Sequence, residues 1–232
     1  MWTYPLTLRR LMVLEQEGLW VIDTGSPVSF GDRESLDLGG RRFHLMRNFM
    51  GVSPEKLSDL LGFRVNGLLG NDVISGFYWV FDLPNGTTTL STDTLALQGH
   101  TIQSRAVFGM PAIPVTVGEE TMEALLDTGA ELSYFPPELL NGCGTGEMFR
   151  DFNPAMGWFD VELHTLPVRI GNANFVLRAG AIGENLGLLR MTLSGAGASA
   201  LIGNQIFRDH RIGYAPPRNL LVFMPPSARP QV

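Results

Sequence analysis

Short apolar runs separated by glycine- and proline-containing turns recur along the whole chain. In residues 4–8 (YPLTL) and 113–117 (IPVTV), apolar and polar positions alternate with the two-residue period of a half-buried strand. Both segments carry a proline near the start, where a strand tolerates it. The 232 residues include 27 glycines and 15 prolines, so the pattern predicts an all-β fold with many turns.

Few helices are expected, and the clearest one follows Ser53. Ser53 is a suitable N-cap, Pro54 a suitable first-turn residue, and Gly62 can end the helix. Three leucines share one face of this helix, and we expect that face to pack against a sheet: Leu57, Leu60 and Leu61.

The two halves of the chain repeat each other in three blocks, of which the strands above are the first. The second block reads VIDTGSPVSF at residues 21–30 and LLDTGAELSY at residues 125–134. The third reads LLGNDV at residues 68–73 and LIGNQI at residues 201–206. Because the three blocks recur in the same order, we infer two related structural units.

These repeats divide the chain into two predicted lobes. We place the first lobe at residues 1–94 and a weakly patterned linker at residues 95–108. The second lobe then covers residues 109–232. After each third block an apolar run and a proline-containing turn lead to a last predicted strand, near residues 87–90 and 220–223.

The composition is that of a folded protein without a basic binding surface. Hydrophobic residues make up 44% and charged residues 17% of the chain, which is too apolar for disorder. The net charge is -6 and there is no long run of Lys and Arg, which disfavours a nucleic-acid partner. No apolar stretch is long enough to predict a membrane span. Cys143 is the only cysteine, so no intramolecular disulfide forms; this favours a cytoplasmic location, while export with a trimmed signal or anchor stays open.

The two Asp-Thr-Gly sequences are the candidate chemistry. Each follows two apolar strand residues, which predicts a carboxylate at the end of a buried strand. If the repeat brings Asp23 and Asp127 within hydrogen-bond reach, the two groups cannot both ionise cheaply and share one proton. The charged partner can then deprotonate a water while the neutral partner donates to a substrate carbonyl, which is general acid–base hydrolysis of an amide.

This pattern resembles the aspartic peptidases of the pepsin and retropepsin type, and the resemblance extends through both halves. It implies a bilobal all-β fold with two pseudo-twofold-related, barrel-like lobes, a few short helices and an extended peptide in the cleft. It makes Asp23 and Asp127 the catalytic pair, and a further set supports the pair: Thr24, Gly25, Ser26, Thr128, Gly129 and Ala130. In the resemblance the threonines knit the two turns together and the glycines approach the substrate backbone. The Leu-Leu-Gly and Leu-Ile-Gly blocks pack beneath the turns.

The two turns differ at their fourth residue. Lobe one has Ser26, as in the pepsin-like branch, and lobe two has Ala130, as in the retropepsin branch. Because the Ser26 hydroxyl can donate a hydrogen bond to Asp23, we expect Asp23 to favour the charged form and Asp127 to hold the shared proton.

The family covers its cleft with a β-hairpin flap, and the spacing of the repeats favours a flap in the second lobe. Asp23 and Gly70 are 47 residues apart, whereas Asp127 and Gly203 are 76 residues apart. The extra length includes residues 152–163 (FNPAMGWFDVEL), which have a Pro/Gly turn flanked by aromatics. We expect Trp158 and Phe159 near the flap tip and in contact with substrate; the alternative is an ordinary hairpin with a core tryptophan.

The predicted function is that of an aspartic endopeptidase acting on polypeptide. It needs no metal or organic cofactor, and the scattered histidines show no ligand spacing that would indicate a metal site. Since both aspartates lie in one chain, we expect a monomer. Two alternatives stay open: a peptide-binding module that has lost turnover, and a glycosidase, whose two carboxyls would lie about 5–9 Å apart.

Overall fold

The computed structural model describes residues 1–154 and 156–226, and strands dominate it. Residue 155 and residues 227–232 of the predicted second lobe lie outside the described residues. In the first 94 residues the elements are β1 (Trp2–Arg9), β2 (Leu11–Glu15), β3 (Leu19–Ile22), β4 (Phe30–Gly31), β5 (Ser35–Leu38), β6 (Arg41–His44), α1 (Pro54–Leu61), β7 (Gly67–Leu69), α2 (Asn71–Ile74), β8 (Tyr78–Asp82) and β9 (Thr87–Ser91). They continue as β10 (His100–Gln103), β11 (Arg105–Val107), β12 (Met110–Val117), β13 (Glu120–Leu126), β14 (Ser133–Phe135), β15 (Gly144–Asn153), β16 (Gly157–Ile170), β17 (Ala173–Ala181), α3 (Gly187–Ala196), β18 (Ala200–Ile202), β19 (Arg211–Ala215) and β20 (Leu220–Met224).

The strands form two large sheets and one small hairpin, which confirms the prediction of an all-β, two-lobed fold with a few short helices. The first sheet has the order β10-β20-β19-β8-β9-β1-β2-β3-β7-β4, and the second has the order β11-β12-β13-β18-β14-β17-β16-β15. Strands β5 and β6 pair separately. In the second sheet β12 also pairs with β16, through Thr116 and Arg169, so part of this sheet closes on itself.

The repeated blocks build the same three-stranded unit twice. In the first half, β3 runs parallel to β7 and β4 pairs with β7 on its other side, antiparallel. In the second half, β13 and β14 flank β18 in the same way. Each Asp-Thr-Gly turn therefore leaves one outer strand and leads towards the other, across a central strand supplied by the third block.

The two halves share the first sheet and its core. Strand β19 pairs with β8, with Ile212 opposite Phe81, so strands from the end of the chain continue the sheet of the first half. Trp79 stacks on Phe81 with ring centroids 5.4 Å apart, and Phe81 contacts Phe207 edge-on at 5.4 Å. This row of buried rings joins residues from both halves.

The segment expected to be a weakly patterned linker contains two short strands. Strand β10 pairs with β20 in the first sheet, and β11 pairs with β12 in the second. The lobe boundaries themselves stay a prediction. No helix among the described residues is long and apolar enough to cross a membrane.

The predicted helix after Ser53 is confirmed as α1. The Ser53 hydroxyl accepts a hydrogen bond from the Lys56 N–H, Pro54 occupies the first turn, and Gly62 ends the helix with a φ of 76°. Such a left-handed residue after the last turn favours glycine, which lacks a Cβ.

Replacement of Phe81 by alanine tests whether the shared aromatic row holds the halves together. The ring is fully buried, so we expect Phe81→Ala to lower the free energy of unfolding by about 3–5 kcal/mol. Phe108→Ala is the control, because Phe108 is 67% exposed and its loss should change stability by about 0.5 kcal/mol or less. Urea denaturation measures both, and equal effects of the two substitutions would contradict the role of the row.

Candidate active site

The structure brings Asp23 and Asp127 together at the ends of β3 and β13. The Asp23 N–H donates to the Leu69 carbonyl over 3.0 Å, and the Asp127 N–H donates to the Ile202 carbonyl over 2.8 Å. Each central strand thus supports the Asp-Thr-Gly turn beside it. The two carboxyl groups lie close enough for each to alter the pKa of the other through hydrogen bonding, as expected of a pair that shares one proton.

Gly25 and Gly129 allow the two carboxyl groups to approach. A Cβ placed on Gly25 would lie 2.5 Å from the Asp127 carboxylate oxygens, and one on Gly129 would lie 2.4 Å from Cγ of Asp23. Both distances are far below van der Waals contact, so a side chain at either position would push the opposite aspartate away. The glycines are therefore required by the aspartate pair itself, whereas their approach to a substrate backbone stays a prediction.

Thr24 and Thr128 join the two turns through reciprocal hydrogen bonds. Thr24 Oγ1 donates to the Leu126 carbonyl over 2.7 Å and accepts from the Thr128 N–H over 3.0 Å. Thr128 Oγ1 donates to the Ile22 carbonyl over 2.8 Å and accepts from the Thr24 N–H over 3.0 Å. Both side chains are buried. The four bonds fix the distance between the strands that carry the aspartates.

The surroundings of the two carboxylates differ, but not through the donor that the sequence suggests. The expectation that the Ser26 hydroxyl donates to Asp23 is wrong, because this hydroxyl donates to the Val28 carbonyl over 2.8 Å. Instead the backbone N–H groups of Gly25 and Ser26 donate to Oδ1 of Asp23, over 2.7 and 3.0 Å. Among the described residues, the Asp127 carboxylate accepts one backbone bond, from Gly129 over 2.9 Å, and the Ala130 N–H instead donates to the Asp127 main-chain carbonyl.

These differences act on the two pKa values. Desolvation by the surrounding protein raises the pKa of Asp23, and the Gly25 N–H, the Asp127 side chain and the Ser26 N–H partly offset it. Desolvation raises the pKa of Asp127 further above its usual range, and the negative charges of Asp23 and Asp151 add to the increase. That Asp127 holds the shared proton stays a prediction. Its physical basis is now the pair of backbone N–H groups that donate to Asp23, in place of the Ser26 hydroxyl.

Two asparagines that the sequence analysis did not single out support the turns directly. Asn71 Nδ2 donates to the carbonyls of Thr24 and Ser26, over 2.7 and 3.2 Å. Asn204 Nδ2 donates to the Arg10 carbonyl over 2.8 Å and to the Thr128 carbonyl over 3.5 Å. The signal was present, because an asparagine follows the glycine of the third block in both halves.

The aspartate pair lies on a cavity of about 360 Å³, and residues of the β15–β16 hairpin form part of its lining. Trp158 and Phe159 both line this cavity. Trp158 is 44% exposed, so the alternative of a core tryptophan is wrong. Its ring meets that of Phe152 edge-on, with centroids 5.4 Å apart, beside the hairpin turn. Strand β16 of this hairpin runs without a break from Gly157 to Ile170.

The opposite wall of the cavity is formed partly by α1. The expected packing against a sheet is confirmed for Leu57 and Leu61, which contact the buried cluster that includes Val21 of β3 and Leu68 of β7. All three leucines of this face also line the cavity: Leu57, Leu60 and Leu61. Their one-sided spacing was visible in the sequence, but it does not distinguish an interior face from the wall of a cleft. The described residues contain no group of three or more His, Cys, Asp and Glu side chains placed to hold a metal ion.

Comparison with known proteins identifies the fold. No family model matches the sequence, and no curated protein matches it. Among solved structures, the chain is similar to the crystal structure of an aspartic proteinase from Irpex lacteus, with a TM-score of 0.52 and 98% of each chain covered. The two sequences are 12% identical, so the likeness shows the fold alone.

The raised pKa of Asp127 predicts a pH-dependent effect on stability. A carboxyl whose pKa is higher in the folded than in the unfolded state stabilises the fold below the unfolded value of about 3.9, and this contribution is lost as pH rises through the folded value. Asp127→Asn removes the titration, so we expect the variant to gain stability relative to wild type between pH 4 and pH 7.

Urea midpoints at both pH values measure this difference. The matched control is Asp93→Asn, since Asp93 is exposed and does not line the cavity. A difference between Asp127→Asn and wild type that is the same at pH 4 and pH 7 would rule out a raised pKa at this position.

Proposed function

We propose that this chain is an aspartic-type endopeptidase that hydrolyses peptide bonds with a water activated between Asp23 and Asp127. The observation that carries the proposal is the close approach of two carboxyl groups, which equivalent turns hold on one cavity. Such a pair favours a state with one proton and one negative charge, which supplies a base and an acid at the same place.

In the proposed reaction the two aspartates exchange roles across one water. The charged carboxylate, Asp23, takes a proton from the water as its oxygen attacks the scissile carbonyl carbon. Asp127 donates its proton to the carbonyl oxygen, which gives a neutral tetrahedral diol. Asp23 then donates the proton it gained to the amide nitrogen while Asp127 takes a proton from a diol hydroxyl. The C–N bond breaks to give a carboxylic acid and an amine, and Asp127 again holds the single proton of the dyad. No covalent enzyme intermediate is required.

The shape and lining of the cavity support a polypeptide substrate. Its walls are largely apolar, from the α1 leucines on one side to Trp158 and Phe159 of the hairpin on the other. Apolar walls that converge on a few polar groups are typical of a substrate site. We propose that the β15–β16 hairpin is the flap, carried by the second half of the chain, and that one chain suffices for activity because it contains both aspartates.

The hydrogen-bonded aspartate pair argues against the glycosidase alternative. Retaining and inverting glycosidases hold their carboxyls about 5–9 Å apart, so that a sugar or a water fits between them. A pair in direct contact leaves no such space. The peptide-binding module without turnover remains the competing hypothesis, and the next experiment distinguishes it.

Substitution of either aspartate tests the proposed dyad. A peptide library is incubated from pH 3 to pH 8 with wild type, Asp23→Asn, Asp127→Asn and the Asp93→Asn control. We expect each dyad substitution to lower the cleavage rate by about 100-fold or more, because each removes a required acid or base. Activity of the wild type should fall as pH rises through the raised pKa of Asp127. Cleavage that survives either substitution contradicts the mechanism, and binding without cleavage at every pH supports the peptide-binding module.

Trp158 tests the proposed flap. Because its ring is partly exposed and lines the cavity, we expect Trp158→Ala to lower kcat/KM about tenfold. The free energy of unfolding should fall by about 1 kcal/mol, the size of the lost ring contact with Phe152. Met148→Ala is the control on the same hairpin, since Met148 is 62% exposed and outside the cavity. A large loss of stability with unchanged turnover of the folded protein would refute the flap role.

A further inference from the structure

Tyr134 and Asp151 form a hydrogen-bonded pair on the cavity that the proposed reaction does not use. Tyr134 lies in β14, seven residues after Asp127, and Asp151 lies in β15, near the hairpin turn. The Tyr134 hydroxyl donates to Oδ2 of Asp151 over 2.5 Å, and both residues line the cavity. The bond therefore joins the strand beside the second Asp-Thr-Gly turn to the hairpin above it.

The tyrosine ring is fixed in place by its neighbours. Only 5% of Tyr134 is exposed, and it pairs with Gly180 of β17. A Cβ on Gly180 would lie 2.8 Å from Cε1 of Tyr134, so the glycine leaves the space that the ring occupies. The hydroxyl is thus held by a buried strand, which makes it suited to orient the hairpin that carries its partner.

Asp151 has charged neighbours on several sides. Oδ1 of Asp151 accepts the Phe152 N–H over 2.8 Å. Burial raises the pKa of Asp151, and hydrogen bonds from the Tyr134 hydroxyl and the Phe152 N–H partly offset this increase. The negative charge of Glu131 raises the pKa of Asp151 as well, whereas the positive charge of Arg10 lowers it. Glu131 and Arg10 are themselves paired, with Nε of Arg10 2.7 Å from Oε2 of Glu131. The negative charge of Asp151 in turn contributes to the raised pKa of Asp127.

The residue after Asp151 reaches across the cavity to the first half of the chain. Phe152 packs against a buried cluster of the first half that includes Val52 and Leu57. The Lys56 ammonium of α1 lies 5.9 Å from the centre of the Phe152 ring. Adjacent residues thus anchor the hairpin to both walls, Asp151 by a hydrogen bond to its own half and Phe152 by an apolar contact with the other.

We propose that the Tyr134–Asp151 hydrogen bond holds the β15–β16 hairpin over the aspartate pair, so that Asp151 is a positioning residue of this site. The proposal rests on the proposed peptidase function for its effect on catalysis, whereas the hold on the hairpin is independent of any reaction. In this arrangement the hydrogen bond fixes the position of the hairpin, and the negative charge of Asp151 favours the protonated form of Asp127.

Two substitutions distinguish the effect of the hydrogen bond on the position of the hairpin from the electrostatic effect of the Asp151 charge. Tyr134→Phe removes the bond and keeps the Asp151 charge, whereas Asp151→Asn removes the charge and keeps a partner for the Tyr134 hydroxyl. Tyr78→Phe is the matched control, because Tyr78 lies in β8, away from the hairpin. Amide hydrogen exchange across residues 144–163 is measured without substrate, and KM, kcat and the pH profile are measured with a cleaved peptide.

We expect Tyr134→Phe to speed exchange in the hairpin about tenfold or more and to raise KM more than it lowers kcat, because a bond to a charged group is lost. Asp151→Asn should leave exchange within about twofold of wild type. Asp151→Asn should also lower the pH at which activity is lost on the alkaline side of the profile, because Asp127 loses a neighbouring negative charge and its pKa falls.

Other outcomes overturn the proposal. Hairpin exchange in Tyr134→Phe that equals that of Tyr78→Phe would show that the bond does not hold the hairpin. Equal increases in Tyr134→Phe and Asp151→Asn with no shift in the pH profile would indicate general destabilisation instead. If the wild type cleaves no peptide, the peptidase proposal fails, and the exchange measurements alone decide whether the bond holds the hairpin.

Discussion

Two carboxyl groups in hydrogen-bond contact repel each other when both are charged, and the centre of this molecule holds Asp23 and Asp127 together against that repulsion. The reciprocal bonds of Thr24 and Thr128 fix the strands that carry them. The missing side chain at Gly25 leaves room for Asp127. Because the backbone keeps the two carboxyl groups in contact, ionisation of both is unfavourable. The pair therefore keeps a proton at pH values where an exposed carboxyl would lose it.

The two halves are equivalent at this centre and differ outside it. Both build the same three-stranded unit around a central strand, yet the second half adds the long β15–β16 hairpin and the first half supplies α1 as the facing wall. The asymmetry extends to the carboxylates, because Asp23 accepts two backbone N–H groups and Asp127 faces Asp151 on the hairpin. Near-symmetric halves therefore give the two aspartates unequal electrostatic surroundings.

The sequence predicted the parts of the fold that depend on repetition and local chemistry. Repeated blocks identified both aspartates and their supporting strands, and Ser53, Pro54 and Gly62 marked both ends of α1. Contacts that depend on side-chain direction were not predictable. The Ser26 hydroxyl turns to the Val28 carbonyl because a neighbouring acceptor competes with Asp23, and no spacing reveals which acceptor is preferred. Leu57 and Leu61 of α1 pack against the strands as their spacing predicts, but that spacing does not reveal that they also line the cavity. Strand β10 was missed because its pairing partner, β20, lies far along the chain. Strand β11 pairs with the next strand, β12, but has only 3 residues, too few to show an alternating pattern.

The pairing of β8 with β19 restricts how far the two halves can move apart. A continuous ladder of backbone hydrogen bonds crosses there from one half of the chain to the other. Swinging the halves apart would break that ladder and expose the aromatic row beneath it, at a cost comparable to unfolding part of the core. If the chain is the peptidase proposed above, a polypeptide substrate would therefore enter by displacement of the β15–β16 hairpin and not by separation of the two halves. The rate at which that hairpin opens would then limit how fast a product leaves.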